Sequence, residues 1–454
     1  MDNHPSRTMP LHFSLMLVCI GISIAWGLAL GRNVPGGTVD FQNFYYGTKC
    51  LMHHCDPYDM KALEHAYLAE GGQNRLQSDR TRTIITLFVN LPAVFVLVAP
   101  LAMLPWGIAN TLWLVLIGGS LFLAAYLMWS TGAAYSPGIS LFLVCIVLLN
   151  SELIFELGNA AGVVTAFGII AVWCFLQNRY ALAAVLCLAV GLVVKPHDVG
   201  FVWLYWLLAG RTFRKRSLYT LALASLWGLT TFLWISHVAP HWLHELRTNL
   251  ATISMHGGLN EPGVESITGR EPGMVISLQA AFSVFRDDPH FYNPMSYLVS
   301  GALLLVWAIK TVRTRFTHEG AWLALAAVSA LSLLPVYHRA YDAKLLLLAI
   351  PACAMLWAEG GSRRWLAFGL TVAGIASTSD IPLAILVTLT RNLHFSTTAL
   401  AGKLMTLLLL RPTSIILLAM GCFYLWVYVR YDPGRPETMG HGGTAEKQIV
   451  HPAT

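Results

Sequence analysis

Residues 11–30 read LHFSLMLVCIGISIAWGLAL, twenty positions without an Asp, Glu, Lys or Arg. About 20 apolar residues in helical conformation cross the hydrocarbon core of a bilayer. The stretch has no small-residue cleavage site and is longer than the apolar core of a signal peptide, so we expect a retained first spanning helix. Similar apolar segments recur along most of the chain, and this recurrence decides the fold class.

The composition agrees with a membrane-embedded chain. Of 454 residues, 56% are hydrophobic and 11% are charged, and the mean hydropathy is +0.60. Soluble domains carry about 25% charged residues. These values exclude a soluble enzyme, a disordered chain and a nucleic-acid-binding protein. They predict an all-α, polytopic membrane protein with about 10 to 13 transmembrane or re-entrant helices.

The apolar segments after the first span predict where those helices lie. They fall near 84–104, 108–130, 138–155, 160–177, 181–194, 198–209, 218–238, 294–312, 320–336, 344–358, 365–378, 381–410 (broken) and 412–430. We assign residues 1–430 to one transmembrane domain. The tail 431–454 is rich in Gly, Pro and polar residues, and we expect it to be disordered.

Positive charge predicts the orientation of the chain. Lys and Arg cluster at 211–216, 310–315 and 363–364. Such clusters face the cytoplasm, which places the polar segments 239–293 and 337–344 outside, and 32–83 as well if the N-terminus is inside. We therefore expect a multi-pass protein of the cell (inner) membrane whose site faces the periplasm. Loop 239–293 would then cover that site.

The first outer loop carries a carboxylate among aromatic residues. Asp40 follows the first span by about ten residues and precedes Phe41, Phe44, Tyr45 and Tyr46. Desolvation by these rings would raise the pKa of Asp40 and suit it to act as a general base. The alternative is that Asp40 only caps a helix.

Two short amphipathic helices are expected in this loop, lying on the membrane surface. Apolar residues at helical spacing predict the first over Val39–His53, and Asp56–Pro57 is typical of a helix start. Cys50 and Cys55 lie in the same loop and can pair if it faces an oxidising compartment.

Polar residues also interrupt two apolar regions. Glu152 and Glu156 are four residues apart, on one helical face, and Asn159 follows them. They should face a cavity or a partner, or join neighbouring helices by a hydrogen bond. Lys195 precedes Pro196 at a helix break, where it can bind a lipid phosphate or extend to the membrane interface.

The segment Tyr337–Lys344 concentrates cations on the side where the positive-inside rule expects few. It contains His338, Arg339 and Lys344 between two predicted spans. This pattern favours an anionic ligand. The alternative is an ordinary polar hairpin between helices.

These motifs, in this order, resemble glycosyltransferase family 87, which belongs to the GT-C superfamily of polytopic, polyprenyl-phosphate-sugar-dependent transferases. The residues that carry the resemblance are Asp40-Phe41, Tyr45-Tyr46, Cys50-Leu51, Asp56-Pro57-Tyr58, Gly158-Asn159, Lys195-Pro196 and Tyr337–Asp342. The resemblance covers about residues 11–360. Asn159 departs from it, standing where the family commonly has Gln.

The resemblance implies a GT-C fold and a role for each motif. Asp40 matches the catalytic Asp that deprotonates the acceptor hydroxyl, while Lys195 and His338 match positions that contact the phosphate of the lipid carrier. The expected donor-side contacts are Lys195, His338, Arg339, Tyr45 and Tyr46. The expected acceptor- or sugar-side contacts are Asp56, Tyr58, Glu156 and Asn159.

The implied reaction moves a sugar from a polyprenyl-monophosphate donor to a hydroxyl of a glycan or glycolipid acceptor, with inversion at the anomeric carbon. Mannose is the commonest assignment in the family, and a pentose such as arabinose is an alternative. Side-chain cations can neutralise a monophosphate leaving group, so we expect no cofactor and no divalent metal. The expected partners are the lipid-linked donor, the acceptor and membrane lipids, and no nucleic acid.

Two other functions fit part of the sequence. A solute transporter or lipid flippase would explain polar residues within spans, although the chain shows no internal repeat. A glycan ligase or polymerase using a lipid-diphosphate donor is the second alternative. It would be expected to have more cations than the outer loops contain.

Overall fold

The computed structural model describes residues 5–32, 37–70, 86–256, 258, 260–263, 275–390 and 399–432. Over these residues the regular structure is helical, apart from one isolated antiparallel bridge between Val275 and Arg339. The helices are α1 (Pro5–Gly31), α2 (Val39–Met52), α3 (Met60–Ala69), α4 (Val94–Ala102), α5 (Trp106–Ala133), α6 (Pro137–Leu149), α7 (Glu152–Leu157), α8 (Ala161–Gln177), α9 (Ala181–Val194), α10 (Pro196–Leu208), α11 (Arg211–Val238), α12 (Trp242–Ser254), α13 (Leu278–Ser283), α14 (Pro289–Arg313), α15 (His318–Leu331), a 3₁₀ helix (Ala340–Leu348), α16 (Ala349–Glu359), α17 (Gly361–Ser377), α18 (Asp380–Thr390), α19 (Leu400–Met405), a π-helical turn (Thr406–Leu410) and α20 (Pro412–Arg430). The all-α prediction is confirmed.

Among the described residues, seven helical segments are long and apolar enough to cross a membrane. They are Met9–Gly31, Trp106–Ala133, Pro137–Leu157, Phe213–Val238, Pro289–Arg313, Ala340–Glu359 and Pro412–Arg430. An eighth results if α17 and the start of α18, bent by 74°, form one span. The protein is therefore a polytopic helical protein. The predicted count is higher because several apolar segments form shorter helices, such as α8 and α9.

Burial separates peripheral helices from central ones. On α11, Leu226, Leu229 and Leu233 are more than half exposed, as expected for side chains that face lipid. In contrast, α15 is buried from Gly320 to its end, and the 3₁₀ helix Ala340–Leu348 is buried along its whole length. The centre of the molecule therefore lies around these two elements.

The segment predicted to form the first outer loop differs from its prediction in two ways. Helix α2 ends at Met52, one residue before the predicted end, and ten of its residues are buried in the protein, so most of its surface contacts protein. The second helix begins at Met60 and not at Asp56–Pro57, because Asp59 caps it by accepting from the Lys61 N–H at 2.9 Å. Cys50 and Cys55 form a disulfide.

Two predicted segments also need correction. In the described part of the span expected at 84–104 the only helix is α4, Val94–Ala102, since Pro92 disfavours helical backbone in the residue before it. The segment Tyr337–Lys344, which could have been a polar hairpin, is helical and buried from Ala340 onwards. Loop 239–293, which was predicted to cover the site, contains α12 and α13. The predicted disordered tail lies outside the described residues from position 433 onwards.

Candidate active site

Asp40 lies in the first turn of α2 and faces the break between α7 and α8. Its Oδ2 accepts a hydrogen bond of 2.5 Å from Asn159 Nδ2. The side-chain oxygen of Asn159 accepts from the Ala161 N–H at 2.8 Å, at the start of α8. Because this second bond fixes the amide, Asn159 always presents a donor to Asp40.

Gly158 allows α2 to approach this break closely. Its φ is +63°, in the left-handed region, and a Cβ at this position would lie 2.8 Å from Thr38 Cβ. The Gly158 carbonyl accepts from Trp113 Nε1 at 2.8 Å, which fixes the turn against α5. The Gly158-Asn159 pair therefore brings the start of α2 and its carboxylate to the start of α8.

Lys195 joins the break between α9 and α10 to the distant 3₁₀ helix through charge. It lies between α9 and α10, where Pro196 begins the new helix. Its Nζ is 2.5 Å from Asp342 Oδ1 and 3.3 Å from Asp198 Oδ2. Asp342 and Asp198 are both buried, so the lysine compensates carboxylates that water does not reach.

The segment that carries His338 and Arg339 is fixed by its backbone. Ile276 N–H donates to the His338 carbonyl at 3.0 Å, beside the Val275–Arg339 bridge. The Arg339 N–H donates to Asp342 Oδ2 at 2.9 Å at the start of the 3₁₀ helix. Asp342 therefore holds both this segment and Lys195.

The Arg339 side chain bonds to the Tyr337 hydroxyl and lies 5.7 Å from the centre of that ring. Its Nη2 reaches Asn260 Oδ1 at 3.4 Å. The residue is only partly buried, as is Asp40. Both groups can therefore meet a substrate.

Burial raises the pKa of Asp40, while the hydrogen bond from Asn159 and the charges of Arg339 and Lys195 lower it, and burial is the larger effect. A carboxylate with a raised pKa is a stronger base. Its hydrogen bond to Asn159 uses Oδ2, which leaves Oδ1 for a substrate proton. We call Asp40, Asn159, Lys195, Asp198, His338, Arg339 and Asp342 the Asp40 cluster.

His338 is fully buried within this cluster. Its Nδ1 is 3.0 Å from the Val336 carbonyl, and its Nε2 is 3.6 Å from Asp198 Oδ1. Burial lowers the pKa of His338, so the ring is neutral. A neutral His338 therefore provides no positive charge to bind a phosphate, whereas Lys195 and Arg339 do.

Tyr45 and Tyr46 lie in an aromatic group outside this cluster. The Tyr45 hydroxyl donates to the Leu104 carbonyl at 2.7 Å, and both rings pack on Trp106. Tyr46 also meets Tyr67 edge to face. Both side chains are buried by protein, and their contact with the donor lipid stays a prediction.

The predicted acceptor residues are divided between regions. Asn159 is in the Asp40 cluster. Asp56 accepts from the Tyr58 N–H at 2.9 Å, and the buried Tyr58 hydroxyl donates to the Asn90 carbonyl at 2.7 Å, so these groups stabilise the loop. Glu156 lines a cavity of about 410 Å³ that also touches Thr38. Of these four residues, Asn159 and Glu156 lie near the start of α2.

Sequence reasoning did not single out Asp198 and Asp342. Asp342 ends the quoted motif Tyr337–Asp342. Asp198 lies three residues after Lys195, a spacing that places the two side chains on one helical side. That spacing was an available signal. Asp342 offered none, because its partner Lys195 is 147 residues away in the chain.

No protein-family model, no curated protein and no solved structure matches this chain. The functional assignment therefore depends on the residues of the site.

Proposed function

We propose that this protein is a membrane glycosyltransferase of the GT-C type, related to family 87. It would move a sugar, with mannose as the first candidate, from a polyprenyl-monophosphate donor to an acceptor hydroxyl. The observation that carries the proposal is the Asp40 cluster, where a partly exposed carboxylate lies within electrostatic range of Lys195 and Arg339. A base beside two cations is what transfer from a phosphate ester requires.

In the proposed reaction, Asp40 Oδ1 takes the proton from the acceptor hydroxyl. The acceptor oxygen forms a bond to the anomeric carbon as the bond from that carbon to the phosphate oxygen breaks. The bonding electron pair leaves with the phosphate, and the configuration inverts. Asn159 holds the carboxylate in position through the hydrogen bond to Oδ2.

Lys195 and Arg339 would stabilise the charge that the phosphate gains. The planar guanidinium of Arg339 carries several N–H donors whose geometry matches phosphate oxygens. Because Arg339 is only partly buried, it can contact a ligand. Lys195 is already held by two carboxylates, so its charge is fixed before the donor arrives. Fixed charges need no reorganisation when the transition state forms.

The acceptor or the lipid chain would use the cavity beside α2. Its lining combines apolar residues, including Leu28 and Phe155, with the polar side chains of Arg32, Asn110 and Glu156. Such a mixed surface suits a sugar hydroxyl beside an apolar chain. The Cys50–Cys55 disulfide supports placing this end of the molecule in an oxidising compartment, outside the cytoplasm.

The test is transfer of radiolabelled mannose from polyprenyl-phosphate-mannose by proteoliposomes containing the purified chain. We expect Asp40→Asn to reduce transfer by about 10²–10⁴-fold, since it is nearly isosteric and cannot take the proton. Asp56→Asn is the matched control because Asp56 lies in the same loop and forms a turn. It should stay within a few fold of the wild-type rate.

Equal activity of Asp40→Asn and the wild type would remove Asp40 from the mechanism. If neither protein transfers mannose, the same comparison is repeated with the arabinose donor. Failure with both donors in the presence of glycolipid acceptors would contradict the transferase proposal.

A transporter or flippase is the second candidate, and one observation favours it. Glu152, Lys344 and Asp380 are ionisable groups inside spanning segments, where such residues often mark a transport path. However, Lys344 Nζ donates to the Asn150 carbonyl, and Asp380 accepts from the Leu153 N–H at 2.9 Å. Both side chains thus stabilise backbone at a helix break, which favours a structural role.

A further inference from the structure

Two histidines and a carboxylate converge at one side of the Asp40 cluster. One ligand atom from each of His197, Asp198 and His338 lies within 4.8 Å of the others. The Nε2 atoms of His197 and His338 are 3.3 and 3.6 Å from Asp198 Oδ1. Among the described residues, His338 Nε2 and Asp198 Oδ1 are buried without a hydrogen-bond partner.

The second nitrogen of His338 shows that Nε2 is available as a ligand. Nδ1 faces the Val336 carbonyl at 3.0 Å, and a carbonyl can only accept. In the tautomer that donates from Nδ1 to this carbonyl, the lone pair is on Nε2. Metal-ligating histidines are commonly oriented in this way, by donating their other N–H to a backbone carbonyl.

We propose that His197, Asp198 and His338 bind a divalent transition-metal ion, with Zn²⁺ as the reference ion. Bonds of about 2.0–2.2 Å at tetrahedral angles separate ligand atoms by roughly 3.3–3.5 Å. The observed separations of 3.3 and 3.6 Å match this within a small adjustment. Three protein ligands leave a fourth position open, as in catalytic zinc sites.

The charge of the surroundings supports a cation here. Asp198 and Asp342 both contact Lys195, so two carboxylates share one lysine beside the histidines. A divalent ion bound to Asp198 would add positive charge there, and its open position would take a phosphate oxygen. This role rests on the proposed function, whereas metal binding does not.

Lys195 does not occupy the proposed position. It approaches Asp198 through Oδ2 at 3.3 Å, while both histidines face Oδ1. The lysine therefore orients the carboxylate from the other side. Imidazole nitrogens favour Zn²⁺ and similar ions over Mg²⁺ and Ca²⁺. The inference departs from the expectation, drawn from the sequence, that the reaction needs no divalent metal.

The test is direct metal binding by the purified full-length chain in detergent, prepared without a polyhistidine tag and stripped with a chelator. Zn²⁺ is titrated by calorimetry, and Co²⁺ by visible absorption, which reports nitrogen and oxygen ligands. We expect one equivalent of metal per chain. Asp198→Asn and His338→Gln should lose binding, and His197→Gln should weaken it at least tenfold.

His197→Gln keeps the proposal testable if the buried variants fail to fold, because the His197 side chain is 40% exposed. The matched control is His256→Gln, which removes a histidine that pairs with Glu261 at 2.9 Å elsewhere. It should bind metal like the wild type. Absence of saturable binding by the wild type, or equal affinity in His197→Gln, would overturn the proposal. Since the titration contains no sugar donor, it can succeed even if the transferase proposal fails.

Discussion

Among the described residues, two groups of buried charges use charge in different ways. In the Asp40 cluster, Lys195 contacts Asp342 at 2.5 Å and Asp198 at 3.3 Å. In the second group, which we call the Lys344 cluster (Glu152, Lys344 and Asp380), the lysine and Asp380 bond to backbone groups instead. Charged side chains therefore contact one another in the first cluster, whereas in the second cluster they bond to backbone groups at a helix break.

The difference indicates which cluster carries chemistry. Breaks in spanning helices leave backbone groups that lipid cannot satisfy, so side chains from neighbouring helices must bond to them. The Lys344 cluster does this at the break between α6 and α7, where Lys344 donates to the Asn150 carbonyl and Asp380 accepts from the Leu153 N–H. The Asp40 cluster, in contrast, contains partly exposed groups of both signs, Asp40 and Arg339, whereas the lysine of the Lys344 cluster is buried.

The largest effect that separates the clusters should come from removing each lysine. Lys195→Met would leave two buried carboxylates without their partner, at a cost of about 3–5 kcal/mol in folding stability. It should also reduce transfer by about 10²-fold or more, because a cation near the leaving phosphate is lost. Thermal unfolding and the radiolabel transfer assay measure the two effects.

Lys344→Met is the matched control for that comparison. It should lower the unfolding temperature, because the Asn150 carbonyl loses a charged donor, a change of about 1–3 kcal/mol. Transfer per folded molecule should stay within a few fold of the wild type. A larger loss of transfer in Lys344→Met than in Lys195→Met would show that the roles of the clusters are reversed.

A smaller effect is expected at Asn159, and it should depend on pH. The Asn159 hydrogen bond lowers the pKa of Asp40, so Asn159→Ala should raise that pKa further. The active base is the ionised carboxylate, which is lost as pH falls through its pKa. The acid limb of kcat/KM should therefore move to higher pH in Asn159→Ala, with each unit costing about tenfold on that limb.

Asn110→Ala is the control for this profile. It removes the 2.6 Å hydrogen bond between Asn110 and Thr38 at the same end of α2, without a bond to Asp40. Its acid limb should match that of the wild type. Parallel profiles for Asn159→Ala and the wild type would contradict the role of Asn159 as a positioning residue.

The smallest effect is expected at the disulfide. Replacing both Cys50 and Cys55 by serine removes the disulfide that closes a short loop, which should lower the folding stability by about 2 kcal/mol. Transfer should be unchanged, since the bridge joins the end of α2 to the Asp56 turn, away from Asp40 at the other end of the helix. Thermal unfolding with and without reductant measures the effect. A wild type insensitive to reductant would indicate that the pair does not form in the cell.

Several parts of this architecture could be predicted because their signals are local. The bounds of α2 and α20 follow from residue spacing and from the position of Pro412. Lys195 and His338 were singled out because charge or imidazole interrupts apolar sequence. The packing of Tyr45 and Tyr46 against Trp106 could not be predicted, because an apolar face looks the same in sequence whether it meets lipid or protein.

The sequence by itself determined the helical, polytopic character of the chain and its main candidate base, Asp40. Apolar runs of spanning length require helices, since lipid offers no partner to an open backbone group. Only the tertiary structure decided the partners of that base. The partners Asn159, Lys195 and Asp342 are far from Asp40 in the chain. Gly158 allows α2 to approach the start of α8 closely, and two buried carboxylates hold Lys195 in place. Burial makes such pairing necessary, because an unpaired charge away from water is costly wherever its partner lies in the sequence.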